Sequence, residues 1–251
     1  TWSPDGDRIA YAANRRDAEA FDAYVQPIDA TADEATCVWE GDEGWLTVEA
    51  WGPDDRLVIA EPAASLDVDL YLLDPETGER RRLSDEEDPA FFADVHFGPV
   101  GDRLYLVTDY GADKRYLGRV DLDTGEIEAV VEGEDWDVDG LALDRRTGRI
   151  VYSRNVDGYS ELHSGYLDRG EFRENTAPTV DGMVEGITFD AEGNHYAFVH
   201  TSPDTPRGVN VAEFGTDLQR RWTGRGTCGI PTESFREPEV VRFETFDGRK
   251  I

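Results

Sequence analysis

An anchor motif that returns at a nearly fixed interval constrains the fold of this chain most strongly. At its first occurrence, in residues 2–11, an aromatic side chain precedes a tight polar turn and an alternating apolar run. Equivalent anchors follow along the chain, at Trp2, Trp51, Phe97, Leu143 and Phe189. They are separated by 49, 46, 46 and 46 residues, a period that is typical of repeat proteins.

Each repeat contains four strand-like segments. Two runs joined by a polar turn follow the anchor run, as in residues 70–83 and 117–131, where Asp-x-x-Thr-Gly favours a hairpin. A further alternating run precedes each anchor, as in residues 45–51. Because the apolar residues alternate with period two, a helical repeat is excluded. The sequence therefore predicts an all-β protein, a β-propeller with about five four-stranded antiparallel blades.

The repeat limits predict how the chain is divided. The propeller occupies residues 1–235, with blades near 1–40, 45–88, 91–133, 137–179 and 183–223 and then an exit linker. No run precedes Thr1, so we expect the first blade to lack its innermost strand and the sequence to be cut from a longer chain. After residue 235 the pattern changes: Val241, Phe243 and Thr245 alternate, and Asp247-Gly248 is a hairpin signal followed by the start of a return strand.

The charge balance limits the partners of the protein. The chain has 55 acidic and 25 basic residues, a formal net charge of -30, and only two lysines, Lys114 and Lys250. Nucleic acid is excluded as a partner because phosphate binding needs a basic stripe. No apolar run reaches the length of a membrane span. An acidic, lysine-poor surface resembles proteins of salt-loving microbes, in which molar salt screens the repulsion. The alternative is an ordinary acidic protein with solvated charges.

The cysteines and the N-terminal residues bear on the compartment. Cys37 and Cys228 are far apart and have no metal-ligand spacing, which fits a reducing setting. No signal peptide is visible at the N-terminus. We therefore expect a cytoplasmic protein, in a high-salt organism if the charge balance is an adaptation.

Four acidic residues lie in the predicted innermost strands, beside or near the central channel: Glu49, Asp94, Asp139 and Glu185. In one interpretation these carboxylates select cationic or amino-terminal groups that enter the channel. In the other interpretation they cap turns or lie in solvent, as most of the acidic residues do.

Several segments imitate catalytic or binding motifs without their context. Residues 158–162 approach GxSxG around Ser160 but lack the second glycine, and we predict that they lie in a loop between blade strands. Residues 224–229 match GxGxxG, yet no βαβ unit surrounds them. Residues 135–140 open like a calcium loop, but Arg146 stands where a glutamate is needed, so we predict a turn leading into a blade. The histidines form no metal motif, and we predict no cofactor: His96, His163, His195 and His200.

Two segments carry a family resemblance. The Trp-Ser-Pro-Asp-Gly turn at residues 2–6 resembles TolB-type and prolyl-oligopeptidase propellers, and residues 237–243 with 246–249 resemble the start of the catalytic domain of S9 serine peptidases. The closest likeness is to the acylaminoacyl-peptidase and dipeptidyl-aminopeptidase branch. The resemblance implies that residues 236–251 begin a truncated α/β-hydrolase domain, which is the first expected partner, and that short peptides are the substrates. It implies a gating, substrate-selecting propeller that is itself non-catalytic.

Two other functions stay open. One is a free-standing TolB-like propeller that binds a protein or peptide on one face. The other is a lactonase-type propeller enzyme with a metal ion in its channel. The oligomeric state does not follow from the sequence.

Overall fold

The computed structural model describes residues 1–42, 44–64, 67–85, 87–224, 226–236, 238–246 and 248. These residues form five antiparallel sheets and two short 3-10 helices, Ala32–Glu34 and Thr232–Ser234. The first sheet contains β1 (Arg8–Asp17), β2 (Ala20–Pro27) and β3 (Thr36–Trp39). The second contains β4 (Thr47–Trp51), β5 (Leu57–Ala64), β6 (Asp67–Leu73) and β7 (Arg80–Arg82). The third contains β8 (Phe92–Phe97), β9 (Arg103–Thr108), β10 (Tyr116–Asp121) and β11 (Ile127–Val131).

The last two sheets continue the same pattern. The fourth contains β12 (Val138–Asp144), β13 (Arg149–Val156), β14 (Tyr159–Asp168) and β15 (Glu171–Asn175). The fifth contains β16 (Met183–Phe189), β17 (His195–Ser202), β18 (Thr205–Glu213) and β19 (Gln219–Arg221). Within every sheet the strands are adjacent in chain order, so each sheet is a meander. The predicted fold class, an all-β propeller with five visible blades, is confirmed.

The first blade has three strands, as the sequence predicts. Only its first three residues lie where the other blades have an inner strand. Trp2 bridges Ile9, and the Thr1 carbonyl accepts a hydrogen bond from the Ala10 amide at 2.8 Å. The Trp2–Ile9 bridge repeats the pairing of the later anchors, such as Phe97 with Leu104.

Contacts between the blades run in chain order. The first strand of each blade packs against the first strand of the next, from β1 and β4 through β8 and β12 to β16. The inner strands β4, β8, β12 and β16 therefore line the centre of the propeller, whereas β1 corresponds to the second strand of the other blades because Ile9 pairs with the anchor Trp2. Within the described part of the chain, none of the main strand contacts joins the fifth blade to the first. The five blades consequently form an open arc.

Period-two alternation gives each blade two packing faces. We call the face toward the next blade the forward face and the opposite one the backward face. In the second strand of each blade, the residue paired with the anchor points backward and its successor points forward. Leu104 points back to the second blade, and Tyr105 points on to the fourth, and both are almost fully buried. Four apolar clusters of this kind hold the five blades together.

The turns after the anchors also nest against one another. Gly101 has a φ of +86°, and an added Cβ there would lie 2.4 Å from Cγ of Pro53 in the preceding blade. Gly148, with a φ of +70°, faces Pro99 in the same way. Glycine is needed at Gly101 both for its backbone conformation and for the close approach.

The residues after the fifth blade follow an irregular path. Residues 238–243 form no strand, although the alternation of Val241, Phe243 and Thr245 predicts one, and Glu244 makes a single bridge. This segment lies on the propeller surface with its apolar side chains exposed, and among the described residues no neighbouring sheet stabilises a strand there. The predicted Asp247-Gly248 hairpin and its return strand fall outside the described residues. Among the described residues, no helix is long and apolar enough to cross a membrane.

Candidate functional site

The inner strands carry β-bulges at matching places. Pairing shifts occur between Val48 and Ala50, between Ala93 and His96, between Val138 and Gly140, and between Glu185 and Thr188. A bulge adds an unpaired residue and turns its side chain away from the regular alternation. Each of the four acidic residues predicted from the sequence lies in or at the edge of one of these bulges: Glu49, Asp94, Asp139 and Glu185.

Three of the four acidic residues line one cavity. Asp94, Asp139 and Glu185 surround a space of about 320 Å³ between the inner strands of the third, fourth and fifth blades. The floor includes Gly140 and Leu141. Glu49 does not line this cavity, because it belongs to the second blade at the other end of the arc.

The Asp94 carboxylate is fixed by a backbone amide of the next blade. Its backbone has a φ of +49°, which is the left-handed region, and its Oδ2 accepts a hydrogen bond from the Leu141 amide at 2.9 Å. Burial raises the pKa of the Asp94 carboxyl, while the Leu141 hydrogen bond opposes that change. Asp94 is therefore a carboxylate that is fixed to the next blade.

His96 lies beside Asp94 on the same inner strand. Its Nε2 is 3.2 Å from the Leu141 carbonyl, so the two side chains contact both polar backbone atoms of one residue. Burial lowers the pKa of the His96 imidazole, against smaller opposing effects of Leu141, Asp94 and Glu49. With a neutral ring, an Nε2 proton donates to the Leu141 carbonyl, and the imidazole adds no charge to the junction beside the Asp94 carboxylate.

The other acidic side chains are partly balanced by neighbours. Asp139 forms an ion pair with Arg115, and Glu185 forms one with Arg207. Glu49 accepts a hydrogen bond from the hydroxyl of Thr47. Arg115 lies just before β10, and Arg207 lies in β18. The two arginines reduce the negative field of Asp139 and Glu185, whereas Asp94 has no ion pair among the described residues.

Two of the segments that resemble catalytic or binding motifs, residues 158–162 and 135–140, have structural roles. Ser160 lies at the start of β14, and not in the loop where the sequence placed it. It is buried, and its Oγ accepts a hydrogen bond from the Val184 amide at 2.9 Å, which joins the fourth blade to the fifth. Asp137 leads into β12, Asp139 lies at its start, and both contact Arg115, so this segment is the predicted turn into a blade. Residues 224–229 follow β19, with Arg225 outside the described residues.

The four histidines are dispersed over three blades. His163 stacks on Tyr152 with ring centroids 4.7 Å apart, and His195 contacts Asp190 in the turn of the fifth blade. His200 is buried, with Nε2 2.9 Å from the Asp181 carbonyl. Over the described ranges, no three His, Cys, Asp or Glu side chains converge as a metal site would require.

A second cavity, which the sequence does not predict, lies under the segment after the fifth blade. It encloses about 490 Å³ between two blade hairpins and residues 238–240. Arg242 forms an ion pair with Asp157 in the hairpin of the fourth blade. Val241, Phe243 and Phe246 nearby are more than half exposed. The segment therefore crosses the hairpin side of the blades and presents apolar side chains away from them.

The meander sheets, their inner strands and the bulged channel surface together define the domain as a β-propeller. No protein-family model and no curated protein matches the sequence. Solved structures do match it. A prolyl endopeptidase, from a study of two such enzymes and of inter-domain dynamics in catalysis, superposes with a TM-score of 0.77 at 20% identity over 99% of this chain. Puromycin hydrolase superposes with a TM-score of 0.77 at 18% identity over the whole chain.

The chain covers 38% of that prolyl endopeptidase and 40% of puromycin hydrolase. TolB from Acinetobacter baumannii matches with a TM-score of 0.62 at 16% identity, over 86% of this chain and 52% of TolB. At these identities the comparisons establish the shared propeller fold.

Proposed function

We propose that this chain is the propeller domain of an S9-type serine peptidase and that it restricts which peptides reach a catalytic domain in the same polypeptide. The observation that carries the proposal is the match of the whole chain to a part of each of two larger hydrolase structures. The segment after the fifth blade adds support. It resembles the start of an S9 catalytic domain, and it leaves the propeller with Val241, Phe243 and Phe246 exposed.

A propeller with this role acts through its shape and supplies no catalytic group. The catalytic serine, aspartate and histidine belong to the partner domain. In this proposal the inner strands line the passage by which short peptides reach the catalytic domain and from which folded proteins are excluded. Asp94, Asp139 and Glu185 give this passage a negative field, which favours an approaching ammonium group. Asp94 contributes most to that field because arginines offset the other two.

The coding sequence beyond Ile251 tests the proposal most directly. We expect a GxSxG elbow, followed in chain order by an aspartate and a histidine, within the length of an α/β domain. The 251-residue chain should not hydrolyse fluorogenic dipeptide amides, whereas the longer product should, and replacement of its elbow serine by alanine should abolish turnover. A stop codon soon after Ile251 would contradict this proposal.

The channel acids need a separate test in the longer, active product. We expect Asp94→Asn to lower kcat/KM for peptides with a free amino terminus by up to about tenfold and to leave N-acetylated peptides unaffected. Glu49→Gln is the matched control, because Glu49 is an inner-strand acid outside the cavity. Equal losses for free and acetylated peptides would show that Asp94 acts only on the structure.

The TolB match favours a second candidate, a free-standing propeller that binds a protein or peptide. It predicts a chain that ends near the propeller and shows no hydrolase activity. Both candidates use the same blades, so the coding sequence downstream separates them.

A further inference from the structure

One buried hydroxyl in the wall of the channel cavity, the space that Asp94, Asp139 and Glu185 line, has no hydrogen-bond partner. It belongs to Ser153 on β13, which is 2% exposed and pairs through its side chain with no group among the described residues. The other buried hydroxyls of the described chain all form hydrogen bonds: Ser3, Ser84, Thr108, Ser160 and Ser164. An unpaired buried hydroxyl is costly, so it marks a place where a bound molecule supplies the partner.

Gly140 gives the cavity access to this hydroxyl. Gly140 on β12 pairs with Ser153, and both residues line the cavity. A Cβ built on Gly140 would lie 3.1 Å from Oγ of Ser153. The same point is 3.9 Å from Oδ2 of Asp94 and 3.9 Å from Cδ1 of Ile187. A hydroxyl, a carboxylate and a methyl group therefore surround one point of the cavity wall, where glycine places no side chain.

The channel cavity has a polar side and an apolar side. The polar side chains come from the inner strands and from β13: Asp94, Asp139, Ser153 and Glu185. The apolar side chains come from the fourth and fifth blades: Leu141, Met183, Val184 and Ile187. The Leu141 amide donates to Oδ2 of Asp94, and Oδ1 has no donor among the described residues. A ligand that fits this surface carries a cationic hydrogen-bond donor next to an alkyl group.

The acceptors suit a primary ammonium group better than a metal ion. Within the described ranges, no three His, Cys, Asp or Glu side chains converge, and a calcium or magnesium ion takes about six close oxygen ligands. A primary ammonium group needs only an acceptor for each of its N–H donors. The Asp94 carboxylate and the Ser153 hydroxyl supply two acceptors, and Asp139 and Glu185 supply further carboxylates on the same cavity.

We propose that Asp94 and Ser153 bind the primary ammonium group of the first residue of a short peptide. The side chain of that residue lies against Met183 and Ile187, so the site prefers peptides that begin with a large apolar residue. This inference rests on the proposed function, which makes the channel the route of the peptide, and it names the peptides that are held there. A negative field attracts any cation, whereas this site also distinguishes the first side chain.

Calorimetric titration of the 251-residue chain measures this binding without a catalytic domain. The probes are leucinamide, N-acetyl-leucinamide, which lacks the charge, and glycinamide, which lacks the apolar side chain. We expect leucinamide to bind, the acetylated probe not to bind, and glycinamide to bind about tenfold more weakly. Ser153→Ala removes an acceptor, and Gly140→Ala places a methyl group in front of it. Each should weaken leucinamide binding about tenfold.

Ser164→Ala is the matched control, because Ser164 is a buried serine of the same blade whose hydroxyl donates to the Thr176 carbonyl outside the cavity. It should leave leucinamide binding unchanged and lower the melting temperature. Ser153→Ala should do the reverse, since its hydroxyl has no partner in the chain to lose.

Three results would overturn the inference. They are a wild-type chain that does not bind leucinamide, equal affinities for leucinamide and its acetylated form, and a Ser153→Ala chain with unchanged affinity, whose hydroxyl is then only hydrated. An equal loss of binding in Ser164→Ala would likewise reduce the role of Ser153 to folding. The proposed function fails separately, through the coding sequence beyond Ile251, because the titration needs no catalytic domain.

Discussion

The interfaces inside the arc and the faces at its ends are built from the same sequence pattern, yet they differ in what covers them. Leu83 and Leu122 are buried between the second and third blades. Their counterparts Trp222 and Ile28, whose amides form the equivalent backbone hydrogen bonds in the fifth and first blades, are more than half exposed. A repeat is therefore stabilised by the blade next to it as much as by its own hydrogen bonds. An apolar side chain inside the arc should therefore contribute several kcal/mol to the free energy of unfolding, whereas the equivalent side chain at either end should contribute almost nothing.

The largest effect should come from an apolar truncation inside the arc. Leu104→Ala removes a fully buried side chain between the second and third blades, and we expect it to lower the free energy of unfolding by about 2–5 kcal/mol. Trp222→Ala, at the exposed end of the arc, should change it by less than about 0.5 kcal/mol. Urea unfolding at high salt and low protein concentration measures both. Equal losses would mean that the end face is covered in solution.

The anchor turns allow the comparison to be repeated with glycine. Gly101 and Gly6 both have positive φ, +86° and +79°, so alanine costs about 1–2 kcal/mol at either position. At Gly101 the new Cβ would also meet Pro53 at 2.4 Å, while at Gly6 it meets nothing within 4 Å. We expect Gly101→Ala to be the more destabilising of the two by at least about 1 kcal/mol. Melting curves of the two variants in one buffer measure the difference, and equal melting temperatures would contradict the nesting of turns.

Because Asp94 and His96 both contact Leu141 between two blades, the stability of the folded chain should depend on pH. The pKa of His96 is lowered in the folded state, so the unfolded chain binds more protons as the pH falls below the ordinary value of 6.5. Stability should therefore be complete above that pH and decrease below it. The pKa of Asp94 is raised, so its effect is opposite: stability falls as the pH rises from the ordinary value of 3.8 through the folded pKa.

Urea unfolding between about pH 4 and 8 covers both contributions. His96→Gln should remove the decrease in the free energy of unfolding below pH 6.5. Asp94→Asn should remove the opposing pH dependence, so that the contribution of His96 is measured alone. His195→Gln is the control, because His195 is an exposed histidine in the turn of the fifth blade. A wild-type slope that persists in His96→Gln would show that another group carries the pH dependence.

Much of the fold follows from the sequence because alternation and turn chemistry are local. The period of the anchors predicts the number of blades, and the missing run before Thr1 predicts a three-stranded first blade. The channel acids could be located on the inner strands, but their grouping could not be derived. Asp94, Asp139 and Glu185 share a cavity because bulges and blade packing bring them together, whereas Glu49 has the same sequence context and lies outside it.

Sequence pattern fails where a tertiary partner decides the structure. Residues 241–245 alternate like a strand, yet within the part of the chain that the structure describes residues 238–243 have no paired strand, and an unpaired strand does not persist. The Ser160 position shows the same limit, since only the contact with Val184 reveals that its hydroxyl joins two blades. The open faces at Trp222 and Ile28 are also invisible in the alternation, which is the same in covered and uncovered blades.

The smallest effect should come from an ion pair between blades. The Arg8 guanidinium lies 2.8 Å from Oδ1 of Asp55 and 5.0 Å from the Trp51 ring centroid, so it joins the first blade to the second by charge and by packing. We expect Arg8→Met to lower the free energy of unfolding by about 0.5–1 kcal/mol, and by less in molar KCl. Arg173→Met is the control, because Arg173 pairs with Glu171 inside a single exposed hairpin. If the two substitutions cost the same at every salt concentration, the arginine at the junction adds nothing beyond a surface charge; a residual cost of Arg8→Met in high salt measures its packing on Trp51.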